Sequence, residues 1–370
     1  MILIKNAKLY SPEFLGMKDI LLGKDRVLAI DDKIDIKIKA LETIDACGEI
    51  VHPGFIDPHV HVIGGGGEDG MLSRVPPLNE KKVAEAGVTT LVGLLGTDGY
   101  TRTVRDLVAK IKGFKEWGLS AYCLTGSYQV PSITLTGSVG DDIVWIDEII
   151  GVKVAVADHR CSFPTTDELL RLASEARLAS LMSHKAGLVH IHVGADSLGI
   201  EQLFEIHRKS PIPVKHFFPT HMEGHMDQAK AWLEMGGHID LTCHSDTDDK
   251  AIELLSRYPD SVTLSTDSNG SFPKWSADKT YIVGMGAGSI KELNEYIQRI
   301  IDKGFDRACA YKAVTENAAK ALNLKSKGQV KEDYDADLVI RDGNNIRYVI
   351  SKGNILLKEG VAKNSMYEDI

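Results

Sequence analysis

From residue 52 to about residue 326, short runs of β-branched and apolar residues alternate with longer segments of helical periodicity. The runs lie at 54–60, 89–95, 119–124, 152–156, 188–192, 214–219, 238–243 and 262–266. The segments between them, such as 104–117 and 166–184, carry apolar residues at helical spacing. Strands that alternate with helices pair in parallel. Eight such units in this length match a closed (β/α)8 TIM-type barrel better than an open sheet, so we predict an α/β barrel fold.

Both ends of the chain differ from the middle, because short strands separated by turns replace the alternation. The turn residues include Gly23-Lys24-Asp25 near the start and Gly353-Asn354 near the end. We predict that residues 1–51 and 327–370 together form a small β-sandwich domain. Residues 52–326 would form the barrel.

Charge and cysteine content exclude several classes of partner. Asp and Glu number 52 against 43 Lys and Arg, giving a net charge of −9 without any long basic run. We therefore expect neither nucleic acid nor an anionic membrane surface as a partner. No apolar run approaches the roughly 18 residues of a transmembrane helix, and the first residues lack the order of a signal peptide. The five cysteines contain no C-x-x-C pair, which fits a reducing cytoplasm.

Polar residues at the ends of the predicted strands indicate a metal site, because functional groups of such barrels lie at the carboxyl ends of the strands. These strand ends carry His59, His61, His192, His221 and Asp267, and the fourth strand carries Lys153. Taken alone, the His-x-His pair could equally be two solvated loop residues. Together with the others it supplies imidazole and carboxylate groups, the usual ligands of Zn²⁺. His190 would lie deeper in the barrel, and we assign it no role.

Lys153 is the unusual member of this set, because an ammonium group has no lone pair with which to bind a metal. It lies between Val152 and Val154 on a predicted strand, where a buried lysine needs a reason. A surface lysine is the alternative. Among the other strand-end groups we favour carbamylation by CO2, which would convert the amine into a ligand with two oxygens.

Several segments resemble a known superfamily. The sequence PGFIDPHVH at 53–61 resembles the metal-binding opening of the amidohydrolase superfamily, and the segments at 315–322, 328–330 and 335–339 resemble its closing part. Within the superfamily, six further segments resemble the isoaspartyl dipeptidase (β-aspartyl peptidase) family. They are GGGGE at 64–68, VGLLGTD at 92–98, LTGSY at 124–128, DHR at 158–160, PTH at 219–221 and DSNGS at 267–271.

The resemblance implies a binuclear site with two Zn²⁺ per subunit, although other divalent metals are compatible with the same ligands. The implied ligands are His59, His61 and Asp267 for one ion and His192 and His221 for the other. Carbamylated Lys153 (N6-carboxylysine), formed with CO2, and a hydroxide would bridge the two ions. The implied reaction is hydrolysis of the isopeptide bond of β-aspartyl dipeptides, which are small-molecule substrates. A homo-oligomer is also implied.

The resemblance further assigns roles around the substrate. Asp267 would take the proton of the attacking hydroxide and pass it to the leaving amine, and Tyr128 would hydrogen-bond the carbonyl oxygen. The substrate contacts implied are Glu68 with the α-ammonium, Thr97 and Ser271 with the isoaspartyl end, Arg160 with a carboxylate, and Gly66 in a glycine run that approaches the ligand closely.

One departure from the family pattern leaves the substrate open. Where the family has an arginine three residues after the histidine at 221, this chain has Gly224. His225, Lys215 or Lys274 could replace that arginine. The alternative function is therefore a related amidohydrolase that acts on a cyclic amide or an N-acyl amino acid, of the dihydroorotase, hydantoinase or deacylase type. A third hypothesis is a non-catalytic protein on the same barrel, which the complete set of predicted ligands disfavours.

Overall fold

The structure is a computed structural model, and it describes residues 1–278 and 281–366. The first part of the chain forms short strands, as predicted. They are β1 (Ile2–Tyr10), β2 (Phe14–Leu22), β3 (Val27–Asp31), β4 (Glu42–Asp45) and β5 (Ile50–Pro53). The long strand β1 pairs with β2 on one side. On its other side it pairs with β4 over its first half and with β5 over its second half, so the sheet branches there.

All eight predicted barrel strands are present. They are β6 (Phe55–Val60), β7 (Val88–Gly93), β8 (Ser120–Gly126), β9 (Ile149–Val156), β10 (Leu188–Val193), β11 (Phe217–Thr220), β12 (Ile239–Thr242) and β13 (Val262–Ser265). Nearly every residue of these strands is buried, because helices cover one face and the barrel interior fills the other. The sixth strand begins at Phe217, later than the predicted residue 214. Proline at 213 lacks the N–H that a strand would use, and a short 3-10 helix occupies Val214–His216 instead.

The strands close into a ring through backbone and side-chain bonds. Strands β6 to β11 form one parallel sheet, and β12 pairs with β13. A backbone bridge between Val60 and Ser268 joins the two ends of the ring. Between β11 and β12 the link is a side chain: the Thr220 hydroxyl donates to Asp240 Oδ2 at 2.7 Å. Asp240 also accepts from Ser265 at 2.6 Å, so one buried carboxylate ties three strands together.

Helices follow most of the barrel strands. They are α1 (Glu80–Glu85), α2 (Val104–Trp117), α3 (Val139–Trp145), α4 (Thr166–Ser183), α5 (Glu201–Lys209), α6 (Met226–Glu234), α7 (Asp248–Arg257), α8 (Glu292–Asp302), α9 (Arg307–Ala313) and α10 (Glu316–Ala321). Their ends follow local rules. Thr165 and Glu168 form a capping box at the start of α4, and Gly118 ends α2 with a φ of 122°. No helix of the described residues has both the length and the apolar composition needed to cross a membrane.

A hairpin and a set of terminal strands complete the chain. They are β14 (Ser271–Trp275), β15 (Ile282–Ala287), β16 (Leu338–Asp342), β17 (Asn345–Ser351), β18 (Asn354–Lys358) and β19 (Val361–Ala362). Strand β16 pairs with β5, so the two chain ends share one sheet of nine strands among the described residues. The small domain was predicted to reach residue 370, and residues 367–370 lie outside the described part.

Candidate active site

Three of the predicted site residues meet at the carboxyl ends of β6 and β13. His59 Nε2 lies 3.1 Å from Asp267 Oδ1, and His61 Nε2 lies 2.9 Å from the same oxygen. All three side chains are buried. The alternation of β6 places both histidines on one side of the strand, so the structure brings together the His-x-His pair and the carboxylate of the last barrel strand.

His221 joins this cluster from the end of β11. Its ring centroid is 5.3 Å from that of His59 and 4.6 Å from that of His192. The Thr242 hydroxyl lies 2.7 Å from Nδ1 of His221 and fixes the ring. Both His221 and Asp267 have left-handed backbone conformations, with φ of 65° and 49°. Such strained conformations concentrate at functional sites because the surrounding structure must impose them.

The free ligand atoms in this cluster fit a metal ion. One ligand atom from each of His59, His221 and Asp267 can be chosen so that all three lie within 4.8 Å of one another. Two buried atoms here, His221 Nε2 and His61 Nδ1, have no hydrogen-bond partner. Buried polar atoms are rarely left without partners, and imidazole nitrogens with a carboxylate oxygen form the donor set of a zinc ion.

Lys153 lies fully buried on β9. Burial lowers the pKa of its amine to about 7. Its Nζ lies 3.0 Å from Nδ1 of His190, and the ring of His190 meets that of His59 edge to face at 4.8 Å. The low pKa favours the neutral amine, which is the form that reacts with CO2. His190 lies deeper in the barrel, as predicted, but sequence reasoning missed its contact with Lys153.

His192 is oriented by two other side chains. Its Nδ1 lies 2.7 Å from the Tyr128 hydroxyl, and its Nε2 lies 2.8 Å from Asp158 Oδ2. Although burial raises the pKa of Asp158, hydrogen bonds from His192 and Arg160 hold it well below its usual range. Burial raises the pKa of Tyr128 well above its ordinary value, so its hydroxyl stays protonated. His192 therefore lies beside His221, but both of its nitrogens already have partners.

Above the cluster lies a cavity of about 850 Å³, lined by the residues predicted to contact substrate. These residues are Gly66, Glu68, Thr97, Tyr128, Arg160 and Ser271. The cavity also reaches His61, His192, His221 and Asp267. The structure thus places every predicted substrate contact and four predicted metal ligands around one space, whereas His59 and Lys153 are buried and do not line it.

The polar wall of this cavity is a network around Glu68. Arg160 Nη1 donates to Glu68 Oε1 at 3.3 Å, and the Ser271 hydroxyl donates to the same oxygen. Arg160 is also paired with Asp158, through Nε at 3.0 Å and Nη2 at 2.8 Å. The Glu68 carboxylate and the Arg160 guanidinium therefore lie side by side at this wall.

The glycine-rich loop that carries Glu68 is held by a buried arginine. Arg102 donates to the backbone carbonyl of Ile63, to that of Gly65 at 2.9 Å and to that of Val75 at 3.1 Å. Gly66 has a φ of 79°, and a Cβ there would approach the Ser73 carbonyl to 2.3 Å. The loop therefore needs glycine for its path and Arg102 for its position.

The surroundings of residue 224 do not explain why this chain has glycine where the family has arginine. Gly224 is exposed, and a Cβ added there would meet no atom within 4 Å. Among the suggested replacements, Lys215 lies just before β11, at the opposite end of the barrel. His225 Nε2 lies 2.8 Å from the Gly194 carbonyl. Lys274 is exposed on β14 and is absent from the cavity lining.

Sequence reasoning missed four side chains around the site: Arg102, Asp158, His190 and Asp240. Asp158 belongs to the quoted segment at 158–160, so the motif indicated it, although no role was assigned. His190 had the His-x-His spacing with His192. Arg102 and Asp240 act on the backbone and on neighbouring strands, and no local pattern marks such contacts.

A family model described as the amidohydrolase family matches residues 50–356. The crystal structure of a β-aspartyl dipeptidase from Fervidobacterium islandicum AW-1, in complex with the β-Asp-Leu dipeptide, is 40% identical with a TM-score of 0.94. That match covers 99% of this chain and 100% of the other.

Two further matches are more distant in sequence or cover less of the chain. The structure of the D-hydantoinase (dihydropyrimidinase) from Thermus sp. is 17% identical with a TM-score of 0.72, which shows a shared fold. That match covers 99% of this chain and 97% of the hydantoinase chain. A dihydroorotase of Staphylococcus epidermidis is 33% identical over 114 residues, which are 31% of this chain. The chain spans only a quarter of the length of that curated relative.

Proposed function

The chain belongs to the amidohydrolase family and is a metal-dependent hydrolase, and we propose that it hydrolyses the isopeptide bond of β-aspartyl (isoaspartyl) dipeptides. The observation that carries the proposal is the contact between Glu68 and Arg160 at the wall of the cavity. The isoaspartyl residue carries an ammonium and a carboxylate on one carbon. The neighbouring Glu68 carboxylate and Arg160 guanidinium match these two charged groups. Glu68 would face the ammonium, and Arg160 would face the carboxylate.

We propose that the site holds zinc. The ligands would be His59, His61 and Asp267 for one ion, His192 and His221 for the other, and carbamylated Lys153 for both. When bound, such metals lower the pKa of water and polarise a carbonyl group. To serve as a ligand, His192 would exchange its contact with Tyr128 or with Asp158. Release from His192 would free the Tyr128 hydroxyl for a substrate.

The protein's own side chains would then carry out the remaining steps. Asp267 accepts a proton from the attacking water and gives it to the nitrogen of the breaking C–N bond, while a new C–O bond forms. Tyr128 donates a hydrogen bond to the carbonyl oxygen as that oxygen gains charge. Thr97 and Ser271 hold the isoaspartyl end. These roles are proposed from the family resemblance and from the placement of all four side chains at one cavity.

The alternative is a cyclic-amide or N-acyl amino acid hydrolase, which the open position at Gly224 and the likeness to a dihydroorotase over 114 residues favour. One panel separates the two, using zinc-loaded protein with β-Asp-Leu, α-Asp-Leu, N-acetyl-Leu, dihydroorotate and hydantoin. Selective cleavage of β-Asp-Leu is expected. Cleavage of another compound of the panel, with no cleavage of β-Asp-Leu, would mean that the same metal site has a different substrate specificity.

Replacing Tyr128 with phenylalanine tests the role at the carbonyl. We expect kcat on β-Asp-Leu to fall about 100-fold, because a donor that meets developing charge is lost. KM and zinc content should change little. Steady-state kinetics and metal analysis of the same preparation check this, and an unchanged kcat would remove Tyr128 from the mechanism.

Arg102→Leu tests how the glycine-rich loop positions Glu68. The variant should raise KM for β-Asp-Leu about tenfold with little change in kcat, because charged hydrogen bonds to the loop, about 1.5–3 kcal/mol each, are lost. Succinyl-leucine lacks the α-ammonium, so its KM should not respond. The exposed Arg105, changed to leucine, is the matched control. Equal losses on both substrates would contradict a specific effect on Glu68.

Two expectations concern the protein as a whole. The cysteines of the described residues are free, which supports a proposed cytoplasmic location. The family resemblance supports a homo-oligomer, which size-exclusion chromatography with light scattering would test.

A further inference from the structure

His190 lies at the same level of the barrel as Lys153, because strands β9 and β10 pair in parallel with these two residues directly opposite each other. Residues that share a register position on neighbouring strands point to the same face of the sheet. Both are fully buried, and Lys153 Nζ lies 3.0 Å from Nδ1 of His190. The strand pairing therefore sets a hydrogen bond between the lysine and a histidine that is outside the proposed ligand set.

The ring of His190 is held by two further rings. Phe218 lies opposite His190 on β11, and their ring centroids are 5.3 Å apart. The ring of His59 meets that of His190 edge to face at 4.8 Å. Close packing of this kind leaves a side chain little freedom to turn, so Nδ1 keeps its direction toward Lys153.

Nδ1 of His190 accepts this hydrogen bond. An ammonium nitrogen has no lone pair, and the lone pair of a carbamate nitrogen is delocalised, so Lys153 is the donor in either form. The hydrogen of the neutral ring then lies on Nε2, for which the described residues provide no partner. An apolar side chain could fill this position without burying an unpaired nitrogen. The contact with Lys153 gives a reason for a histidine here.

Carbamylation keeps one hydrogen for this contact. The amine of Lys153 forms an N–C bond to CO2, one N–H proton goes to water, and one N–H remains on a nitrogen that becomes planar. With that N–H directed at His190, the plane of the carbamate is fixed and its two oxygens point away from His190. The nitrogen also lies 5.8 Å from the centre of the Tyr128 ring, which lines the cavity. The modified side chain would thus have one orientation beside the proposed metal ligands.

We infer that His190 is a positioning residue for the Lys153 carbamate, which it holds through a hydrogen bond from the carbamate N–H to Nδ1. This inference rests on the proposed function, because the carbamate belongs to the metal site proposed above. The described residues that line the cavity do not include His190, so it acts through Lys153 and not on the substrate. Its loss should change carbamate formation and zinc uptake first, and turnover only through them.

The test measures the carbamate and the bound zinc without any substrate. The full chain receives a fixed amount of zinc and rising concentrations of ¹³C-labelled bicarbonate, and the carbamate resonance and the protein-bound zinc are recorded. For half-maximal signal and half-maximal zinc, His190→Leu should need about tenfold more bicarbonate than the parent protein, which is the effect of about one hydrogen bond. An unchanged bicarbonate requirement in His190→Leu would overturn the inference.

His190→Asn provides a second measurement, because the asparagine oxygen can take the place of Nδ1 and accept the N–H. We expect this variant to need at most about threefold more bicarbonate than the parent protein, since the hydrogen bond is kept. If His190→Asn required as much bicarbonate as His190→Leu, the hydrogen bond would not be what matters at this position, and the inference would be wrong.

His52→Leu is the matched control. His52 is also fully buried, packs between the rings of Phe55 and Tyr311 and has an unpaired Nε2, but it lies on β5, outside the site. The control should lose thermal stability while its bicarbonate requirement stays at the parental value. A shift as large as that of His190→Leu would show a general effect of losing a buried histidine and would contradict a specific role for His190.

The outcomes for His190 and for the proposed activity are separable. If the bicarbonate requirement shifts as expected but the parent protein does not cleave β-Asp-Leu, the positioning role is supported and the proposed activity is overturned. Absence of a carbamate resonance in the zinc-loaded parent protein would overturn both. Loss of zinc from His190→Leu with a carbamate resonance of full strength would make His190 a metal ligand and would overturn the positioning role.

Discussion

Replacing Asp267 with asparagine is expected to lower kcat on β-Asp-Leu about a thousandfold while most of the zinc is retained. Asparagine has the same shape and can still offer an oxygen to a metal, but it cannot accept and release a proton at neutral pH. General acid–base groups contribute about 10²–10⁴-fold to enzymatic rates. In the structure, Asp267 lies within 3.1 Å of both His59 and His61, so its oxygens are already directed into the cluster.

The measurement is steady-state kinetics together with the zinc content of the purified variant. Asp196→Asn is the matched control, because Asp196 lines the same cavity but is exposed and lies outside the ligand cluster. The control should keep its activity within a few-fold of the parent protein. Normal turnover by Asp267→Asn would exclude Asp267 as the proton carrier.

Replacing Lys153 with alanine is expected to remove both zinc and activity. The lysine is fully buried, and burial lowers the pKa of its amine to about 7. No other described lysine stands at the ligand cluster, so no side chain nearby could supply a carbamate. Short carboxylic acids, such as acetate or propionate, should partly restore zinc binding and turnover by entering the space that the side chain leaves.

A second variant, Lys153→Met, separates the chemistry from packing. Methionine fills much of the same volume and should restore thermal stability, but it should restore neither zinc nor turnover. In the parent protein, ¹³C-labelled bicarbonate should give a carbamate resonance that both variants lack. Full zinc content in Lys153→Ala would contradict the bridging carbamate.

The sequence was most informative where the residue pattern itself determines the geometry. The alternation of strands and helices requires parallel strands, and parallel strands bring their carboxyl ends to one rim, so the convergence of His59, His61, His221 and Asp267 could be predicted. The distances between individual side chains of the site could not be predicted. The engagement of both His192 nitrogens by Tyr128 and Asp158 depends on side-chain conformations that no spacing determines.

Other features could not be predicted because they depend on residues far apart in the chain. Asp240 links three strands through hydroxyl groups that come from separate segments. Arg102 reaches back to carbonyl groups of the preceding loop, some 27 to 39 residues earlier in the chain. Such a contact leaves no periodic pattern, because a single buried arginine looks the same in sequence as an exposed one.

The sheet that joins the two chain ends has a consequence for biosynthesis. Strand β5 pairs with β1 on one side and with β16 on the other, and β16 is translated only after the whole barrel. While the ribosome is still making the barrel, β5 presents an unpaired edge next to the strand that carries His59. Unpaired edges invite association with other chains. The nascent chain should therefore be most prone to aggregate just before residue 338 emerges, and deletion of β16–β19 should make that vulnerability permanent.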